Sequence, residues 1–331
     1  MPRNRIRAID LFSGAGGSSW GARAAGAKIV ASFDVWDVAG QTHTANFPNT
    51  KFYAGRLEDL NLNSIVKELG KIDLILASPE CTNHSPARGK RPHSEESKNT
   101  AFQVVRFARK LKPRWIVVEN VVSMRRWNRY GEFKKSIEAL GYKLREQVLD
   151  ASDFSVPQTR RRLFILADLR EKPPEIVPNG SKPVKARTII RLNGKYEWTP
   201  LRKRRRATAT LRRANRAIKV VGDDKPFLIV YYGSDHAGGW QKLGRPLRTI
   251  TTLDRFAIVK PSKTGHLMRM LQVPELKAAM GMPKKMKLPT GTRRDRLKMI
   301  GNAVSPPVMR SVLRQLIKHR SGGTKPHPSE K

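Results

Sequence analysis

Ile6-Arg7-Ala8-Ile9-Asp10-Leu11-Phe12-Ser13-Gly14-Ala15-Gly16-Gly17 is the stretch that decides the fold. Its first half is a short apolar run with β character, and its second half turns on glycines into a helix-like segment. Glycines there let backbone amides approach a ligand. Alone, Gly-x-Gly-Gly falls short of the full dinucleotide fingerprint and also suits a plain structural turn. Asp34 ends the next apolar run, Ile29 to Phe33, where an acidic side chain can hold ribose hydroxyls. Loop and acid together predict a site for a nucleoside-containing cofactor.

Outward from that stretch, further apolar runs follow at Leu74–Ala77, Trp115–Val118, Leu144–Leu149 and Leu163–Ala167, separated by helix-like segments. Ala101, Val104, Val105, Ala108 and Leu111 recur at helical spacing and stop at Lys112-Pro113. The alternation predicts an α/β fold with a doubly wound, mostly parallel sheet covered on both faces. It ceases near Glu171-Lys172-Pro173-Pro174. Nine basic residues and no acidic one then lie between Arg202 and Lys219, followed by strand-like Phe227–Tyr232 and a strand-rich Leu247–Val259. Val308, Val312, Leu313 and Leu316 mark a closing helix that should return to the first domain. The expected division is residues 1–172 with 296–319 as one domain, 173–295 as a smaller basic domain, and 320–331 as a disordered tail.

Lys and Arg total 66 against 27 Asp and Glu, a net charge of +39. So large an excess repels itself unless a polyanion neutralises it, and nucleic acid is the common intracellular one. A single cysteine excludes an intramolecular disulfide and a Cys-rich zinc site. The histidines show no metal-ligand spacing, and no apolar run reaches the roughly 20 residues of a membrane span. The sequence predicts a soluble, metal-free protein of a reducing compartment, monomeric through its own repulsion.

That lone cysteine, Cys81, follows the run Leu74–Ala77 in Ser78-Pro79-Glu80-Cys81-Thr82-Asn83-His84. Free cysteines are often small buried hydrophobes, but this loop is polar, which suits a nucleophile. Glu119 ends Trp115-Ile116-Val117-Val118 and reads as a surface cap or a catalytic acid. Gly14, Asp34, Cys81 and Glu119 all fall at carboxyl ends of expected strands, where open α/β sheets bind ligands. In Gln158-Thr159-Arg160-Arg161-Arg162, strand alternation sends Arg160 and Arg162 to one face, so they can act together; simple solvation or phosphate contact is the alternative.

As an ordered set, these motifs resemble the DNA (cytosine-5) methyltransferases over nearly the whole chain. Phe12-Ser13-Gly14-Ala15-Gly16-Gly17 is similar to the family's S-adenosylmethionine loop, Pro79-Glu80-Cys81 to its Pro-Cys motif, and Glu119-Asn120-Val121 to its Glu-Asn-Val motif. Gln158, Arg160 and Arg162 resemble Gln-x-Arg-x-Arg; Arg245 to Thr252 resembles the segment closing the recognition domain; Gly301-Asn302-Ala303-Val304 resembles the last cofactor-side motif.

The resemblance implies a Rossmann-like methyltransferase domain with a smaller target recognition domain. It implies Cys81, Glu119, Arg160 and Arg162 as catalytic residues, with Cys81 adding at C6 of a flipped cytosine, Glu119 serving N3, Arg162 binding O2 and Arg160 holding the loop or base. Cofactor contacts fall to Asp10, Phe12, Ser13, Gly14, Gly16, Gly17, Asp34, Pro79, Asn302 and Val304. Double-stranded DNA would meet Arg202, Lys203, Arg204, Arg205, Arg206, Arg212, Arg213, Thr249 and Thr251, in a prokaryotic or viral-host cytoplasm; any companion restriction endonuclease stays open.

The chain departs from the family pattern at Glu80 and Thr82 beside the nucleophile, at Arg56 where an adenine-contacting acid is usual, and at Val35 where a large residue often stacks. Two other readings stand beside the first: a tRNA cytosine methyltransferase, and a silent nucleic-acid-binding relative.

Overall fold

A computed structural model describes residues 5–79, 100–178, 180, 182–194, 196–232 and 238–319. The chain divides into two compact units. The first comprises residues 1–150, 161–180 and 303–331, and the second 151–160 and 181–302.

The first unit is built on seven strands: β1 (Arg7–Leu11), β2 (Lys28–Asp34), β3 (Lys51–Ala54), β4 (Leu74–Ala77), β5 (Trp115–Asn120), β6 (Lys143–Asp150) and β7 (Arg161–Asp168). Their order is β3-β2-β1-β4-β5-β7-β6. The first five run parallel, and β7 lies antiparallel between β5 and β6. Every residue of β4 and β5 is buried, as central strands of a sheet covered on both faces must be. β6 is an edge strand. The segment after β7 covers it through side chains, with Arg145 Nε donating to Pro173 O at 2.7 Å and Gln147 exchanging bonds with Ile176 at 2.7 and 2.9 Å.

Helices α1 (Gly17–Ala24), α2 (Asp37–Asn46), α3 (Leu62–Leu69), α4 (Phe102–Leu111), α5 (Tyr130–Glu138) and, near the end of the chain, Pro306–His319 belong to this unit. α4 buries Val104, Val105, Phe107 and Ala108, the two valines and the phenylalanine each worth about 1.5–3 kcal/mol. It stops where Lys112 turns left-handed (φ 45°) ahead of Pro113. The Pro306–His319 helix buries Val308, Val312, Leu313 and Leu316 and packs on α1 at Gly21, where an added Cβ would sit 2.6 Å from Met309 Cβ.

The second unit holds β8 (Thr199–Pro200), β9 (Phe227–Val230), β10 (Trp240–Lys242), β11 (Phe256–Ser262) and β12 (Gly265–Met270) in an antiparallel sheet of order β10-β9-β11-β12-β8. Helix α6 (Thr208–Val221) lays Ala214 and Ala217 against Phe227, Ile229, Ala257, Val259 and Met268. Helices α7 (Val273–Ala279) and α8 (Arg293–Asn302) complete it, and Pro306–His319 is α9 in chain order.

The expected domain limits differ from this division in three places. Residues 173–180 stay with the first unit because side chains pin them to β6. Residues 151–160 group with the second, since Pro157–Thr159 bonds to Leu247. α8 also groups there, tied by Arg293 to Asp254 at 2.8 Å and to Leu271 O at 2.7 Å. The expected strand content from Leu247 is likewise corrected: the strand begins only at Phe256, and the backbone of Arg248, Thr249 and Ile250 is bonded to side chains instead. The proposed disordered tail, 320–331, lies outside the described residues. Among those described, no helix is long and apolar enough to cross a membrane, and no cluster of His, Cys, Asp and Glu could hold a metal.

Candidate active site

The carboxyl ends of β1, β2, β4 and β5 gather the first unit's chemistry. β1 runs out through Phe12, a non-glycine at φ 59°, into Gly14 (φ 50°) and Gly16 (φ 88°) before α1 begins at Gly17. A left-handed phenylalanine costs conformational energy that the surrounding loop must hold in place. Asp34 does part of that work. Its Oδ2 accepts the Gly14 amide at 2.7 Å and its Oδ1 the Trp36 amide at 2.8 Å. The carboxylate braces the loop while its oxygens keep further acceptor capacity. Val304 closes the loop from the far end of the sequence: a Cβ on Gly17 would lie 2.4 Å from Val304 O.

Beneath the loop is a buried polar relay. Ser19 Oγ donates to Asp10 Oδ2 at 2.6 Å and lies 3.1 Å from His43 Nε2, while Ser32 Oγ is 3.2 Å from His43 Nδ1. Burial pushes Asp10 up to about 7, with Ser19 opposing. Burial, then Arg23, pushes His43 down to about 4. Asp10 therefore braces the floor of the loop. Its other oxygen, Oδ1, together with Ser13 Oγ and Ser78 Oγ, is buried with no hydrogen-bond partner among the described residues. Unsatisfied buried polar atoms are costly, and three of them at the ends of adjacent strands β1 and β4 fit a polar ligand seated there.

Cys81, with Glu80 and Thr82, lies outside the described residues. Pro79, two residues before it, is described, and its carbonyl accepts from Asn120 Nδ2 at 3.1 Å. Glu119, almost fully buried, sits beside that asparagine at the end of β5. Arg162 Nε approaches Glu119 Oε1 at 3.2 Å from β7, the strand paired with β5. A carboxyl and a guanidinium held side by side offer neighbouring proton and hydrogen-bond donors to one planar heterocycle.

Two departures have structural consequences. Arg56 turns to Glu58 at 3.0 Å, and Val35 is 58% exposed.

The second unit changes the reading of several residues. Arg160 does not share a strand face with Arg162, because β7 begins only at Arg161. Its buried guanidinium donates to Ile250 O at 3.1 Å and Gly301 O at 2.8 Å. These bonds suit the expected role of holding the loop or base. Arg206, expected on phosphates, is instead a staple bonding Leu201 O, Thr199 Oγ1 and Pro200 O. The Thr249 hydroxyl donates to Thr159 O at 2.8 Å. Arg202 reaches Asn215 on α6 at 2.7 Å, and Arg213 lies over the Tyr231 ring at 5.5 Å. Lys203, Arg204, Arg205 and Arg212 are exposed, Thr251 is half-buried, and Asn302 is exposed at the end of α8. Sequence reasoning quoted Asn120 and Gln158 within motifs but gave neither a role, and missed Tyr232, which no motif marks.

Residues 6–318 match the C-5 cytosine-specific DNA methylase family. The type II methyltransferase M.HindV of Haemophilus influenzae is 30% identical over 179 residues, 54% of this chain and 58% of its own length. The tRNA (cytosine(38)-C(5))-methyltransferase of Rattus norvegicus is 28% identical over 172 residues, 51% of this chain and 44% of its own. The chain thus spans about half the length of these curated relatives. A solved structure of a putative DNA modification methyltransferase from an Escherichia coli prophage shares the fold, with a TM-score of 0.70 at 19% identity, covering 96% of this chain and 99% of that one.

Proposed function

Because the chain belongs to the C-5 cytosine-specific DNA methylase family, we propose that it methylates C5 of cytosine in double-stranded DNA, using S-adenosylmethionine. The observation that carries this is the Glu119–Arg162 pair at 3.2 Å, held at the end of β5 beside the asparagine that anchors the loop leading to Cys81.

C5 of cytosine is too weak a nucleophile to take a methyl group unaided. Addition of the Cys81 thiolate at C6 moves the ring's electron pair onto C5. Glu119 supplies a proton or hydrogen bond at N3, and Arg162 donates to O2, so both draw charge from the ring as the thiolate adds. Loss of the C5 proton and expulsion of Cys81 later restore the aromatic ring. A stacked base is out of reach of these groups, so the cytosine must leave the duplex.

The residues present fit the cofactor. Ser13, Gly14, Gly16, Gly17, Asp34, Pro79 and Val304 would hold it, with Phe12 at the margin and Asp10 beneath. The unsatisfied Ser13, Ser78 and Asp10 oxygens would gain partners. When bound, S-adenosylmethionine supplies an electrophilic methyl group on a sulfonium.

The second unit is the recognition domain on this reading. It carries 31 basic residues against 8 acidic ones, with Arg202, Lys203, Arg204, Arg205 and Arg212 disposed for phosphates and Thr251 near the base-reading edge. The resemblance to a tRNA methyltransferase favours RNA as the second reading.

Transfer of a labelled methyl group from S-adenosylmethionine to unmethylated duplex DNA, with RNA in parallel and Cys81→Ala as control, tests the proposal. Label in DNA cytosine that disappears with Cys81→Ala is the expected result. Label in RNA alone moves the substrate to RNA, and label in neither overturns the enzyme reading.

A further inference from the structure

The loop before β11 is gripped by its backbone at successive groups. Tyr232 donates its hydroxyl to Thr249 O. Gln158 Oε1 accepts the Ile250 amide at 2.7 Å, and Arg160 Nη1 donates to Ile250 O at 3.1 Å. Gly301 presses on the next residue: a Cβ there would lie 2.4 Å from the Thr251 carbonyl carbon. Further along, Arg293 pairs with Asp254 at 2.8 Å.

The holders are themselves fixed. Gln158 is fully buried and donates to Ala279 O at 3.3 Å and Met280 Sδ at 2.9 Å. Arg160 also bonds Gly301 O at 2.8 Å. The Tyr232 ring meets Phe256 edge-on at 6.0 Å. Burial pushes the Tyr232 phenol up to about 12, so it keeps the proton it donates.

Tyr232, Gln158 and Arg160 bond main-chain atoms of Thr249 and Ile250, just before a short tip, Thr251-Thr252-Leu253, and Arg293 holds the Asp254 carboxylate just after it. Within the tip the Thr251 hydroxyl accepts the Leu253 amide at 3.4 Å; both threonines are half-buried and Leu253 is 43% exposed. Arg248 and Arg255 flank it in sequence. A tip held chiefly at its flanks, with two threonines and an apolar group between arginines, has the make-up of a base-reading edge.

We propose that Tyr232 is a positioning residue for DNA recognition, acting with Gln158 and Arg160 to fix the Thr251-Thr252-Leu253 tip against the substrate. This rests on the methyltransferase reading. Tyr232 touches no reacting atom; it sets where the tip stands.

The test compares wild-type protein with Tyr232→Phe, which keeps the ring and its packing and removes only the hydroxyl. Plasmid DNA of mixed sequence is methylated to completion and in time courses, and modified cytosines are mapped by bisulfite sequencing. Cofactor affinity and thermal unfolding are measured on the same samples. The expected result is a KM for DNA raised about tenfold, as for one lost hydrogen bond to a buried carbonyl, and more methylation outside the wild-type motif. The maximal rate, cofactor affinity and unfolding temperature stay close to wild type.

An unchanged KM and motif profile in a folded variant overturns the proposal, as does a fall in maximal rate alone, which would place Tyr232 in the chemistry. If Tyr232→Phe fails to fold, Gln158→Glu replaces it: it keeps the acceptor for Ile250 and loses the donor to Ala279 and Met280, and the same shift in KM and motif is required. Wild-type protein that methylates no DNA defeats the underlying reading instead, and is recognised before any variant is compared.

Discussion

Glu119 and Asp10 are both buried carboxyl groups at strand ends, yet their neighbours give them different work. Glu119 faces Arg162; Asp10 faces Ser19 and, beyond it, His43. Glu119→Gln is expected to lower the maximal rate by about 10²–10⁴, the usual reach of a positioned acid, and to leave cofactor affinity unchanged by calorimetry. Equal loss of cofactor binding would show the residue to be structural.

Asp10 and His43 oppose each other across acid pH. Asp10 is raised from 3.8 to about 7, so its stabilising contribution is complete below 3.8 and fades as pH rises through 7. His43 is lowered from 6.5 to about 4, so its contribution is complete above 6.5 and fades as pH falls through 4. Each swing is about 3–4 kcal/mol at 1.36 kcal/mol per pH unit. Denaturant unfolding should show Asp10→Asn gaining on wild type as pH climbs from 4 to 7, and His43→Gln losing on wild type over 4 to 6.5. Parallel curves for all three proteins would refute the assignment.

At the scale of elements, the join between the glycine loop and Val304 is the tightest in the cofactor region. Gly17→Ala drives a methyl group into Val304 O and its amide. It should cost about 1–3 kcal/mol in thermal unfolding, typical of overpacking, and weaken cofactor binding with it. A fully stable variant with normal binding would contradict that packing.

This join also shows what sequence can and cannot disclose. Gly14, Asp34 and Glu119 were legible because apolar runs ending in glycine or an acid announce strand ends, and strand ends collect ligands. The partnership of Arg162 with Glu119 was not legible in spacing; it depends on β7 entering the sheet antiparallel beside β5. The carbonyl bonds of Arg160 and Arg206 were not legible, because charge alone does not tell a phosphate contact from a guanidinium that caps carbonyls. The fate of Tyr232 depended on a loop whose backbone is bonded to side chains distant in sequence, a pattern with no periodicity to reveal it.

For the whole molecule, the decisive quantity is charge. A net +39 weighted toward the second unit should make DNA binding fall steeply with salt, by about 0.9 log units per tenfold salt for each phosphate contact. Replacing Arg202, Lys203, Arg204 and Arg205 together by serine should flatten that slope by about 3.6 in a fluorescence titration. Arg206→Ala should leave the slope alone and lower the unfolding temperature, since its guanidinium is spent on Leu201, Thr199 and Pro200. The opposite pattern would return Arg206 to the phosphate surface.

The central claim is that Cys81 attacks a cytosine in DNA, and covalent trapping tests it most directly. DNA carrying 5-fluorocytosine in place of cytosine blocks the loss of a proton from C5, so the thiolate cannot be expelled after methylation. With S-adenosylmethionine present, a denaturant-resistant protein–DNA complex is expected with the wild-type chain and none with Cys81→Ala. A complex that persists with Cys81→Ala, or a wild-type chain that methylates ordinary DNA but never traps, would contradict it.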